Sequence, residues 1–144
     1  MSDTLGSAAT RKTIVTAVGI AACQIGGAGL LALARRQGMV TEETAMRGAM
    51  ALIGLGIAAY GNMMPKTLGT ARTSSVRAVA LGQAVSRVGG WAMVLMGCVY
   101  AALWAFAPRS VAAMGCLAAA GLAAATMVGY AAWRVVAYRR SSAS

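Results

Sequence analysis

Residues 48–66 read GAMALIGLGIAAYGNMMPK, a Gly/Ala-rich apolar run closed by Tyr60-Gly61-Asn62-Met63-Met64-Pro65-Lys66. No charged side chain interrupts positions 48–64, a stretch long enough to cross a bilayer as a helix. Pro65 lacks an N–H and disfavours helical geometry in the residue before it, so the helix is expected to stop at Met64. Three more apolar runs lie at 13–34, 88–107 and 111–136. Together they predict an all-α fold, an integral membrane four-helix antiparallel bundle. The whole chain, 1–144, is expected to form a single transmembrane domain. Its spans would lie at about 13–34, 42–64, 88–107 and 111–136, with a cytoplasmic loop at 66–87.

Composition points the same way. Of the 144 residues, 59% are hydrophobic and 11% charged, and the mean hydropathy is +0.69. A water-soluble globule of this size needs more polar surface than that, so the lipid bilayer is the expected partner. The net charge is +10, from 13 basic and 3 acidic residues. These bases stand singly or in pairs at the ends of apolar runs, with no basic helix face or interleaved aromatics. No nucleic-acid partner is expected; anionic headgroups account for the charge better.

The run boundaries carry local signals. Residues 1–10 are polar and read as a loosely ordered tail. Arg11-Lys12 precede the run 13–34, whose 22 residues exceed a signal peptide's apolar region, so it is expected to remain as the first span. Thr41 is placed to cap the second helix, with Glu42 and Glu43 in the first turn, where carboxylates oppose the helix dipole. Arg47 is close enough to that end to snorkel. Between the second and third spans, Val76, Val79, Ala80 and Ala84 share one helical face, which fits either a surface helix or an extension of the third span. Pro108-Arg109 make a tight turn that sets the last two spans antiparallel and adjacent.

Nine bases (Arg11, Lys12, Lys66, Arg72, Arg77, Arg87, Arg134, Arg139, Arg140) fall at one end of these spans and four (Arg35, Arg36, Arg47, Arg109) at the other. By the positive-inside rule the first end, with both termini, is cytoplasmic. Tyr60, Trp91, Trp133 and Tyr138 are expected near the inner boundary, and Trp104 and Phe106 near the outer one. Cys23, Cys98 and Cys116 all lie inside apolar runs and read as small hydrophobes rather than a disulfide framework.

Lipid tails are as apolar as leucine, so helices in a bilayer associate through close approach at small residues. Gly19, Cys23, Gly26 and Gly27 offer such a face in the first span, and Gly54, Ala58 and Gly61 in the second. Gly90 and Gly97 do so in the third, and Gly121, Ala125 and Gly129 in the fourth. These are expected to pack the bundle internally. The alternative is a docking face for a membrane-protein partner or a second copy, with the aromatic-free first span as the best candidate. Gln24, mid-span, is expected to hydrogen-bond a neighbouring helix, since an unsatisfied amide in lipid is costly; a substrate contact is the alternative.

Catalytic chemistry is scarce. The chain has no histidine, and its only acids are Asp3, Glu42 and Glu43. No carboxylate lies within a span to carry a proton, and no nucleophile–base or phosphate-loop pattern occurs. No enzymatic activity, cofactor or metal is expected. The ten methionines are spread along the spans and read as core filling rather than copper ligands. Asn62 is placed to cap backbone groups freed by Pro65.

Gly61-Asn62-Met63-Met64-Pro65-Lys66, then a basic loop, then Arg87-Val88-Gly89-Gly90-Trp91 entering the next span, resembles the SdpI family of bacterial membrane proteins. That family typically shows Gly-Asn-x-x-Pro-Lys and then an Arg/Gly pair opening the following helix. The likeness covers about residues 54–106. It implies a small inner-membrane protein of the kind that includes the immunity and signalling partner of a secreted peptide toxin. Carried over by position, Asn62, Pro65, Lys66 and Arg87 are the candidate contacts for a peptide or soluble regulator; the bland reading is a helix stop with snorkelling bases. Two other functions stand beside this one: an accessory structural subunit of a larger membrane complex and, ranked last for want of embedded charge, a small transporter.

Overall fold

A computed structural model of the chain describes residues 2–67 and 76–141. The described residues are all-helical, without a strand: α1 (Ser2–Arg36), α2 (Glu42–Thr67), α3 (Val76–Phe106) and α4 (Arg109–Ser141). Three of the helices hold a segment long and apolar enough to cross a membrane, namely Thr13–Arg36, Val79–Phe106 and Arg109–Arg140. α2, expected to be a span like the others, is not among them. Charges at Glu42, Glu43, Arg47 and Lys66 crowd its ends, and Asn62 breaks its apolar run. What remains, 48–61, has the length of a helix enclosed by protein.

α2 lies between α1 and α3, and its Ile53, Leu55 and Tyr60 remain exposed. Each helix packs on its sequence neighbours, α1 on α2, α2 on α3 and α3 on α4, and the α2–α3 seam is the most extensive. The contacts run antiparallel: Gly27 meets Leu52, Gly48 meets Leu31, Gly54 meets Gly97, and Gly115 meets Leu103. α2 and α3 are therefore flanked on two sides. α1 and α4 are the outer members, and none of the side chains in the most apolar part of Thr13–Arg36 is buried.

The α2–α3 seam is made of backbone. Gly54 lies against the Gly97 carbonyl and Ala101, and Gly61 against the Gly90 carbonyl, Met93 and Val94. All four glycines are buried. Such close approach gains dispersion contacts along both helices and little from burying apolar side chains, which is how helices associate in lipid. A second cluster gathers Trp104, Ala112 and Cys116, with Met46, Met50, Tyr100 and Leu103 against it. Ala112 and Cys116 are small residues one turn apart on α4, and they leave room for an indole. Trp104 is only 8% exposed, so it is a core residue rather than the outer boundary anchor expected of it. Phe106, 87% exposed, and Trp91 and Trp133 do face outward.

Helix ends follow local chemistry. Thr41 caps α2: its hydroxyl oxygen accepts from the Thr44 N–H at 3.1 Å, and its carbonyl accepts from the Ala45 N–H at 3.0 Å. α1 ends at Gly38, whose φ of 71° is a left-handed conformation that glycine adopts without strain. There the Met39 N–H reaches back to the Ala34 carbonyl at 2.9 Å and the Gly38 N–H to the Arg35 carbonyl at 3.0 Å.

Three boundaries differ from expectation. α1 begins at Ser2, so 2–10 is helical rather than a loose tail; no proline interrupts it, and an established helix propagates easily into neighbouring residues. α2 runs through Pro65 to Thr67, because a proline two residues from a helix end forfeits only one backbone hydrogen bond. The stretch from Val76 extends α3 and is not a separate surface helix. The rest of the expected loop, 68–75 with Arg72, lies outside the described residues.

Candidate functional site

The two halves of the motif meet. α2 and α3 are antiparallel, so the end of α2 lies beside the part of α3 around 86–90. The Ser86 hydroxyl donates to the Met64 carbonyl at 3.0 Å, next in the chain to Pro65 on one side and Arg87 on the other. One turn further in, Gly61 sits against the Gly90 carbonyl. Asn62 is exposed on this corner and its amide makes no hydrogen bond among the described residues, so it does not cap the groups freed by Pro65. It lies on the exposed side of α2, while Ser86 on the facing helix bonds the Met64 carbonyl. Arg87 is exposed and has no ion-pair partner among the described residues. The side chains of Pro65 and Lys66 lie outside the described residues.

Gln24 binds α2 at mid-length. Its Nε2 donates to the Leu52 carbonyl at 3.4 Å, and its amide covers Gly56 so closely that a Cβ there would have to displace it. Grooves of about 310 and 450 Å³ flank it on the two sides of the α1–α2 pair, both lined by Ile20 and Gly56. Apart from the amide, Thr16 and Tyr60, their walls are apolar side chains and glycine.

The opposite end is tied together by charge. Arg47 Nε and Nη2 donate to Glu43 Oε1 at 3.0 and 2.8 Å, while its Nη1 donates to the Ala107 carbonyl at 2.9 Å. One guanidinium thus links the start of α2 to the α3–α4 corner, where helix-end carbonyls lack intrahelical donors. Arg35 pairs with Glu42 at 3.5 Å. Both glutamates are engaged with arginines at this end.

The small-residue faces divide. Gly27 contacts Leu52, and the α2–α3 glycines pack as described, but Gly19, Gly26, Gly121 and Gly129 have open space where a Cβ would stand. Ala125 is exposed as well. The expectation that the α1 and α4 faces pack the bundle is corrected at these positions: the stripe on α4 points away from α3, which α4 instead meets through Ala112, Cys116 and Ala123. Cys116 is buried, while Cys23 and Cys98 are exposed. Among the described residues no cluster of three metal-ligating side chains occurs.

Sequence reasoning missed Ser86 and the clamp at Arg47. A serine in a basic stretch carries no mark of a long-range bond, and the acceptor of Arg47 is a backbone carbonyl 60 residues away in the chain. Comparisons with protein-family models, with curated proteins and with solved structures return no match to this chain.

Proposed function

We propose that the protein is a non-enzymatic, polytopic protein of the bacterial inner membrane, an SdpI-like immunity or regulatory factor that receives a peptide or soluble regulator at the α2–α3 corner. The observation that carries this reading is the Ser86–Met64 bond, which joins the ends of α2 and α3 that carry Asn62 and Arg87, both exposed and without a bonding partner among the described residues. Polar side chains that the fold leaves unused are suited to contacts with a partner.

Insertion is supported by length and exposure. α3 and α4 have 31 and 33 residues, about 46 and 50 Å at the helical rise, more than the ~30 Å hydrocarbon layer. The chain's accessible surface is 9966 Å², against roughly 6,900 Å² for a compact soluble protein of this mass. Large apolar side chains such as Ile25, Leu122 and Val128 supply part of the excess. If α1 and α3 both cross in the same direction, α2 must cross between them, shielded on two sides by its neighbours. The nine bases then set the motif corner and both termini in the cytoplasm, facing the four arginines across the bilayer.

The accessory-subunit reading has its own support in the open glycines of α1 and α4, surfaces smooth enough for another membrane helix. Purification in mild detergent separates the two. A chain that runs alone, in cells that become sensitive to a secreted peptide when its gene is deleted, fits immunity. Stoichiometric co-migration with a larger complex and unchanged sensitivity overturn it.

A further inference from the structure

A groove of about 390 Å³ runs along the α3–α4 pair, walled by Trp91, Leu95, Met96, Val99, Leu122 and their neighbours, with Arg87 at one end. Its single hydroxyl is Thr126, which already donates to the Leu122 carbonyl at 2.8 Å. From Arg87 to Val99 the helix rises about 18 Å, close to the ~15 Å depth of one leaflet's hydrocarbon. The groove is thus apolar over the depth of an acyl chain, cationic where a headgroup lies, and bordered at that level by an indole that is 67% exposed.

Among the described residues no carboxylate pairs with Arg87. Glu42 and Glu43 pair with Arg35 and Arg47 at the far end, and the chain's third and last acid is Asp3. Arg11, Arg134, Arg139 and Arg140 belong to the helix ends on the same side of the bundle as Arg87. Arg134, two turns beyond the Met127 that packs on Gly89, adds a buried Nε with no hydrogen-bond partner among the described residues.

We propose that this groove holds one acyl chain of an anionic phospholipid of the cytoplasmic leaflet, its phosphate on Arg87. The proposal rests on the reading of α3 and α4 as membrane spans and is independent of immunity. A guanidinium matches a phosphate bidentately, which distinguishes it from a diffuse surface charge. Trp91 reports on the groove directly. Trp104 is buried and Trp133 is replaced by Phe, so bromine on lipid chains quenches mainly Trp91 in the reconstituted full chain.

Brominated phosphatidylglycerol is expected to quench Trp91 as strongly as a three- to tenfold higher mole fraction of brominated phosphatidylcholine. R87Q should bring that ratio to about one, and the R139Q/R140Q pair should leave it in place. Equal quenching by both lipids, a ratio unchanged in R87Q, or an equal loss in R139Q/R140Q overturns the proposal. So does Trp91 shielded from both lipids by a second copy or another protein. Failure of the membrane reading looks different: Trp133, in a W91F chain, then escapes both lipids too. The unmodified chain gives a second measurement. Native mass spectrometry from mild detergent should retain one phosphatidylglycerol in preference to phosphatidylcholine, and the absence of a preference overturns the site.

Discussion

Gly54 and Gly97 exclude side chains from each other's position. A Cβ on Gly54 would stand 2.7 Å from the Gly97 carbonyl oxygen, and one on Gly97 would stand 2.5 Å from the Gly54 carbonyl oxygen. Backbone cannot swing aside as a long side chain can. G54A and G97A should each destabilise by about 1–3 kcal/mol through overpacking, less up to ~1 kcal/mol of improved helix propensity. G121A and G129A, in open space, should keep only the propensity gain. Unfolding midpoints in a denaturing-detergent titration check this: the two pairs must move in opposite directions, and a common shift would refute the seam.

The amide of Gln24 and the bare backbone of Gly56 form a matched pair. Q24A should weaken α1 docking by roughly 1 kcal/mol, the usual worth of an interhelical hydrogen bond in a membrane. G56A should do more, because it displaces the amide. The double variant Q24A/G56A should be more stable than G56A alone, since truncation removes the clash. Additive losses in a double-mutant cycle would show that the two residues do not share one contact.

At the opposite end the magnitudes separate two partners of one arginine. Glu43 has a side chain 68% exposed, so its ion pair is screened and E43Q should change stability by about 0.5 kcal/mol or less. The Arg47 side chain is 27% exposed and also donates to the Ala107 carbonyl. R47Q should therefore lose about 1.5–3 kcal/mol, the range of charge-assisted hydrogen bonds. Thermal unfolding at low and high salt tests the split. A large, salt-sensitive loss in E43Q would place the stabilisation in the ion pair instead.

Asn62 and Ser86 should part company. S86A removes the bond to the Met64 carbonyl and should lower stability by about 1 kcal/mol. N62A removes no hydrogen bond among the described residues and should leave the unfolding midpoint unchanged while abolishing protection against, or response to, the peptide. Stability and a challenge assay on the same two variants read this out. Should N62A unfold the protein or leave protection intact, the corner is not a recognition site.

Four helices, their order and the cap at Thr41 were all legible in the chain. Each depends on neighbours within a few residues: i to i+4 hydrogen bonds, a hydroxyl beside a helix start, apolar runs bounded by bases. Which glycines pack was not legible. Gly54 and Gly61 look no different in sequence from Gly121 and Gly129, because a small residue every one or two turns is the same local pattern in both helices. Only the position of a facing helix distinguishes a seam from an open stripe, and that is settled by contacts between helices, such as Gly54 with Gly97 and Gly61 with Gly90. The same holds for Trp104, drawn into the core by two small residues on α4, for Arg47, whose acceptor is a distant carbonyl, and for the meeting of Met64 with Ser86. Local chemistry decided the elements; the register between them, held by close backbone approach, decided where the exposed polar groups and the groove came to lie.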